Sequence, residues 1–160
     1  MVADSHDITL AGTCLVLSRA PHIKVVARAR TAADALAEAD SQRIDLALLE
    51  LRFTDGRGIE VCQHIRTSCP KTHVIILTDT IDEESAFSAL RAGAAGILAK
   101  SVEETSLLRA IEAVYAGQMI FDRRIFQPLV THLCGLSIQA CGKARAAFPV
   151  AHGRDAYPEV

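Results

Sequence analysis

Tryptophan is absent from this chain, and aromatic residues fill only 4% of its 160 positions. The core therefore has to be built from Leu, Ile, Val and Ala, a composition suited to helices packed closely over short strands. The five cysteines include no C-x-x-C pair, which argues against a zinc ribbon or a dithiol redox motif. Cys14 and Cys62 fall inside helical patterns, where a free thiol behaves as a small hydrophobe. Cys62 and His64 do not make a metal pair, because helical residues two apart do not share a face. No apolar run reaches the roughly 20 residues needed to cross a bilayer, and Met1 to Asp7 lacks the basic and apolar regions of a secretory signal. Formal net charge is −2, so the chain as a whole has no electrostatic footprint for nucleic acid. A cytoplasmic protein with no membrane contact and no direct nucleic-acid binding is the expectation.

What is present is an alternation of strand and helix signals running to about residue 117. Ile23–Ala27 is a short β-branched run. Thr31 opens a helix with Asp34 at capping-box spacing, carrying Ala33, Leu36 and Ala37 on one side. Leu46–Leu49 is continuously apolar, as a strand buried on both faces should be. Ile59, Cys62 and Ile65 recur at helical spacing, and Pro70 follows. His73–Leu77 is a further buried strand. Asp82 to Ala92 reads as a helix with Ala86, Phe87 and Leu90 inward, closed by Gly93. Gly96–Ala99 is a small strand. Ser101 and Glu104 have capping-box spacing ahead of a stripe of Leu107, Leu108, Ile111 and Val114. Such alternation predicts a parallel sheet covered by helices on both faces. Ligand chemistry on such sheets gathers where loops leave the carboxyl ends of the strands. The residues standing there are Asp4 and Ser5, Glu50, Thr78 and Lys100.

In these stretches, from Val2-Ala3-Asp4-Ser5-His6 through Asp45–Arg52 and Val74–Thr78 to Leu90–Lys100, the chain resembles a response-regulator receiver domain. The likeness is to the CheY-like receivers of the NarL/FixJ type and covers about residues 2–121. It implies an α/β, flavodoxin-like three-layer α/β/α sandwich with a five-stranded parallel sheet in the order 2-1-3-4-5. It also implies a place in two-component or phosphorelay signalling. In that family an acid pair after the first strand holds Mg²⁺ together with the phospho-accepting Asp after the third. A Thr or Ser after the fourth strand and a Lys after the fifth bind the phosphoryl group. Metal and lysine cancel the repulsion between a carboxylate nucleophile and an anionic phosphodonor, and the hydroxyl reports the new group by moving toward it.

The match is partial. Asp4 takes the first acidic position, Thr78 the switch hydroxyl and Lys100 the lysine, but Ser5 replaces the second acid and Glu50 the phospho-acceptor. Mg²⁺ wants oxygen ligands and usually one or two carboxylates, so Asp4, Glu50 and the Arg52 carbonyl leave at most a weak Mg²⁺ site. The extra methylene of Glu50 carries its carboxylate outward by about 1.5 Å, one carbon–carbon bond. A misplacement of about 1 Å can cost ~10²-fold in rate. Two readings stand side by side: Glu50 imitates the phosphorylated state through Thr78 and Lys100, or the site has decayed and Glu50 pairs with Lys100 structurally. Asp79 either crowds the entrance or caps the following helix. Ile97 stands where many receivers place a Tyr or Phe that rotates in switching.

The first strand is short, with Met1, Val2 and Ala3 before Asp4. The expected division is a receiver domain over 1–121, an extra helix over 122–138 with its apolar pattern beginning at Phe121, and a mobile tail over 139–160. Arg123, Arg124, Lys143 and Arg145 are read as solvated, and His132, Cys134 and Cys141 resemble a metal set only loosely. Functionally, the chain reads as an atypical receiver, a pseudo-receiver that acts through protein contacts independently of phosphorylation and is not an enzyme. Its partners would be a histidine kinase or another signalling protein, or a second copy of itself through the faces of the last two helices. The alternative is the receiver half of a NarL/FixJ-type transcription factor of the LuxR class, without its helix-turn-helix. An enzyme on the same scaffold is disfavoured by the lack of a glycine-rich phosphate loop after the first strand.

Overall fold

The computed structural model describes residues 1–122 and 150–151. Its strands are β1 (Val2–Ala3), β2 (Arg28–Ala29), β3 (Leu46–Glu50), β4 (His73–Thr78), β5 (Gly96–Ala99), β6 (Ile120–Asp122) and β7 (Val150–Ala151). The helices are α1 (Asp7–Ser18), α2 (Ala32–Ser41), α3 (Gly58–Ser68), α4 (Glu83–Arg91) and α5 (Glu104–Tyr115). Every strand pair is parallel, and the sheet order is β2-β1-β3-β4-β5-β6-β7. The first five strands thus stand in the expected flavodoxin-like order, and β1 is short as anticipated.

Alternation along the strands divides the core in two. Leu49, Ile76 and Ile97 face a layer formed by α2, α3 and α4, where Ala35, Cys62, Ile65 and Ala89 are buried. Leu48, Ile75 and Leu98 face α1 and α5, meeting Leu10, Cys14, Leu17, Leu107 and Val114. Successive side chains of a strand point to opposite faces, which is why the continuous apolar runs serve both layers. Cys14 and Cys62 are buried as free thiols, and burial pushes the Cys62 thiol up to about 12, against the weaker pull of Arg66.

Several local expectations are corrected. The second strand lies at Arg28–Ala29, not at Ile23–Ala27, because β1 begins at Val2 and its register pairs Val2 with Arg28. Ile23 and Val25 pack against the α1/α5 core instead. Helix α2 buries Ala32, Ala35 and Ala39, with Leu36 packed against the same core as expected, while Ala33 and Ala37 are exposed. Thr31 does cap it, accepting a hydrogen bond from the Asp34 N–H at 3.0 Å. Helix α5 starts later than the Ser101–Glu104 spacing suggested: Glu103 is its N-cap without a side-chain bond, and Glu104 pairs with Arg19 on α1.

Phe121 lies in β6 and not in a helix. Gly117, at φ +86°, ends α5, with the Gln118 N–H bonded back to the Ala113 carbonyl, a turn that needs the left-handed conformation glycine adopts freely. Ile120 then donates to Ala95 and lies against Gly96, where an added Cβ would sit 2.8 Å from the Ile120 carbonyl. Apart from Asp122 and β7, the expected extra helix and tail lie outside the described residues. In the tail region, Val150–Ala151 pairs with Phe121–Asp122.

Candidate functional site

The topology brings the carboxyl ends of β1, β3, β4 and β5 together, and each delivers one polar side chain. Asp4 follows β1 and is held by its own N–H bonding the Ala29 carbonyl. Glu50 ends β3. Thr78 ends β4, and its carbonyl accepts from the Lys100 N–H just after β5 at 2.9 Å. Asp4, Glu50 and Thr78 are all buried, and the Lys100 side chain is only 9% exposed.

Lys100 is the hub. Its Nζ lies 2.8 Å from Asp4 Oδ2, donates to Glu50 Oε2, and stands 3.6 Å from the exposed Asp79. Burial by itself would lower the Lys100 pKa. The hydrogen bonds to Asp4 and Glu50 and the charges of those two carboxylates outweigh that loss, and the net shift is upward. Glu50 Oε1 is also satisfied, accepting the Leu51 N–H at 3.0 Å. The hydroxyl of Thr78 does not turn to Glu50. It donates to the Thr80 carbonyl at 3.0 Å.

Asp79 does not cap α4. That role falls to Asp82, which accepts from the Ser85 N–H at 2.7 Å. Ser5 is half-buried on the turn beside Asp4. The Arg52 side chain is exposed and lines a small cleft with Asp82 and Ser85. Ile97 is fully buried in the core and offers no polar tip.

The sequence reading overlooked His6. Its backbone N–H donates to Asp4 Oδ1 at 2.8 Å. Its Nδ1 lies 3.2 Å from the same oxygen and 3.8 Å from Glu50 Oε2. Its one sequence signal is closeness to Asp4, two residues before it, across a turn that neither the strand nor the helix period marks. Asp4, His6 and Glu50 offer ligand atoms that all lie within 4.8 Å of one another.

The turn leaving Glu50 is tied to α2. Asp55 accepts the Ala32 and Ala33 N–H groups at 2.8 and 3.1 Å, and these bonds hold its carboxyl below the usual range. Arg52 and Arg57 form an antiparallel bridge across the same turn. Gly58 then opens α3 so close to β3 that a Cβ would strike the Glu50 carbonyl oxygen.

A parallel five-strand order with buried acids, a hydroxyl and a lysine at adjoining strand ends defines a receiver domain. The model of the response regulator receiver domain matches residues 1–112, and the chain belongs to that family. It is 33% identical over 134 residues to the DNA-binding transcriptional activator DevR/DosR of Mycobacterium tuberculosis, covering 84% of this chain and 62% of that protein. The chain therefore spans about three fifths of that relative's length. It is 30% identical to the oxygen regulatory protein NreC of Staphylococcus aureus, over 97% of this chain and 72% of that one. Among solved structures, a LuxR-family two-component response regulator from Aurantimonas sp. SI85-9A1 matches at TM-score 0.77 and 30% identity, covering 83% of this chain and 95% of that one. The receiver domain of the putative response regulator NarL of Mycobacterium tuberculosis matches at TM-score 0.70 and 28% identity, over 73% and 94% of the two chains.

Receiver domains typically bind Mg²⁺ in an acidic pocket, here the cluster of Asp4 and Glu50 joined by His6. The donor set fits Mg²⁺ poorly. That ion wants near-octahedral oxygen ligands. This pocket offers a serine where a second acid was expected, an imidazole nitrogen facing the carboxylates, and an ammonium already shared between Asp4 and Glu50. No helix among the described residues is long and apolar enough to cross a membrane.

Proposed function

We propose that this chain is an atypical receiver that signals through protein contacts without accepting a phosphoryl group on Glu50. The observation that carries the reading is the buried bridge from Lys100 to both Glu50 and Asp4. A carboxylate already engaged by the lysine, and set outward by a methylene, is a poor nucleophile for phosphorus. The orientation of Thr78 favours a structural ion pair over imitation of phosphate, since its hydroxyl is bonded to Thr80. Asp79 adds a negative charge near the entrance, 3.6 Å from Lys100, which repels an anionic donor.

On this reading the protein has no turnover of its own, works in the cytoplasm and needs no Mg²⁺. Its partners are a histidine kinase, another signalling protein or a second copy. Exposed Ile8 and Leu15 on α1 and Tyr115 at the end of α5 supply apolar contact points for such partners. Nucleic acid is not bound by this chain directly. A second reading is favoured by the relatives: two are named as transcription or regulatory proteins, and the first is covered over only 62% of its length. There the chain is the receiver portion of a DNA-binding regulator.

The test is incubation with acetyl phosphate and Mg²⁺, following intact mass for the wild type beside Glu50→Asp. We expect no phosphoryl adduct on the wild type and measurable uptake by the variant. Equal uptake by both proteins sinks the reading.

A further inference from the structure

We infer that the outward face of α1 is a contact between two copies of this chain, packed antiparallel about a two-fold axis that passes between Ala11 and Gly12. This names one of the partners that the proposed function leaves open, and it rests on that reading only in taking protein contact as the output.

Helix α1 lacks the charged side that a surface helix normally keeps. Between Asp7 and Arg19 it carries no charged residue. Leu10, Cys14 and Leu17 are buried in the core, yet the opposite side is apolar as well. Ile8 is 89% and Leu15 58% exposed, and Ala11 and Gly12 are exposed between them. Helical positions i, i+3, i+4 and i+7 share a face, so these four residues form one stripe.

Gly12 is a second, independent observation. Glycine weakens a helix interior, and a Cβ added at Gly12 would meet nothing within 4 Å. No contact among the described residues therefore calls for glycine here. Beside it a groove of about 240 Å³ opens between Thr9, Thr13 and Val16 on α1 and Leu107 on α5. Small residues at the middle of a stripe let a second helix come close, since the distance between packed axes follows the side chains at the crossing.

Symmetry identifies the occupant. Ile8 and Leu15 lie equally far from the midpoint between Ala11 and Gly12, so the stripe reads alike from either end. A two-fold contact needs that property, because residue i must meet j while j meets i. Antiparallel packing sets Ile8 against the partner's Leu15 and the small pair against itself. It also turns Asp7, at the amino end, toward the partner's Arg19 at the carboxyl end. Within one chain these two are exposed and pair with Arg30 and Glu104. A parallel pair would instead set like charge beside like charge, which is unfavourable. One helix of 12 residues covers less than a standard interface, so the dimer belongs to the weak, transient class that buries under about 1,200 Å².

Sedimentation of the full chain, over a concentration series reaching about 1 mM, tests the inference, with thermal unfolding as the check on folding. We expect a monomer–dimer equilibrium that Ile8→Glu and Leu15→Lys each weaken at least about tenfold. Mixing those two variants should restore association at least about tenfold over either alone. The mixed pair keeps one native contact of Leu15 with Ile8 and sets the introduced acid against the introduced base. Gly12→Gln should unfold no earlier than wild type, because the space is open and the helix gains a better former, yet it should dimerise at least about tenfold more weakly. A monomer at every concentration overturns the inference. So does any of the three variants that self-associates as tightly as wild type, or a mixture no tighter than its components. Acetyl phosphate reads Glu50 alone, so a monomeric protein leaves the reading of Glu50 standing and an adduct on Glu50 leaves the dimer standing.

Discussion

Lys100 holds two buried carboxylates at once, and removing either kind of partner has unequal consequences. Lys100→Met leaves Asp4 and Glu50 facing each other in a pocket where both are almost fully buried, and breaking a buried pair in this way costs about 3–5 kcal/mol. Glu50→Gln removes one charge while Asp4 keeps its bond to the ammonium, so its cost should be smaller. Urea unfolding midpoints should rank wild type, Glu50→Gln, then Lys100→Met, with the double variant recovering part of the loss. A double variant no more stable than Lys100→Met would remove the ion pair from the account.

The same residue sets an alkaline limit. Its folded pKa lies above the ordinary 10.5, so the charged form is favoured by folding. The stabilisation is complete below 10.5 and fades as pH rises through the folded value. Unfolding midpoints measured between pH 8 and 11.5 should fall less for Lys100→Met than for wild type. Of the site residues, Asp4, Glu50, Thr78 and Lys100 were legible because each directly follows a strand that the hydrophobic pattern marks. His6 was not, since a half-turn outside any element has no periodicity to announce it.

At the scale of elements, what the sequence conveyed depended on whether the deciding contact was local. Strands β3 and β4 are continuous apolar runs, and the Thr31 cap spans only three residues, so these were readable. β2 was misplaced by a few positions because its bounds are set by where β1 begins, a pairing between residues 26 apart. On α2, Leu36 was read correctly, but Ala33 and Ala37 were misread because alanines occupy both the buried and the exposed positions, leaving little contrast for periodicity to use. β6 was taken for helix because its strand partner, Gly96, is distant in sequence. Gly58 shows how tightly α3 meets β3. Gly58→Ala should shift the Glu50 backbone and destabilise the fold by several times the ~0.5–1 kcal/mol that the same change would gain in an open helix. Thermal unfolding of the variant checks this, and a raised midpoint would contradict the close approach.

Across the whole molecule, pairing is uneven. β3 and β4 are matched over five registered positions and β1 with β2 over only two. Core strands open only with the whole domain, while weakly paired edges open locally. Amide exchange should therefore be slowest at Leu48, Leu49, Ile75 and Ile76 and fastest, among the amides of β1 to β5, at Arg28 and Ala29. Uniform protection over the sheet would show that the short first strand imposes no local weakness.

The bonds from Asp55 to the first turn of α2 make the loop behind Glu50 a latch between two layers of the chain. That loop is thus held at one end by the start of α2 and at the other by β3. On the proposed reading, a partner that binds α2 would reach the floor of the site through these two bonds.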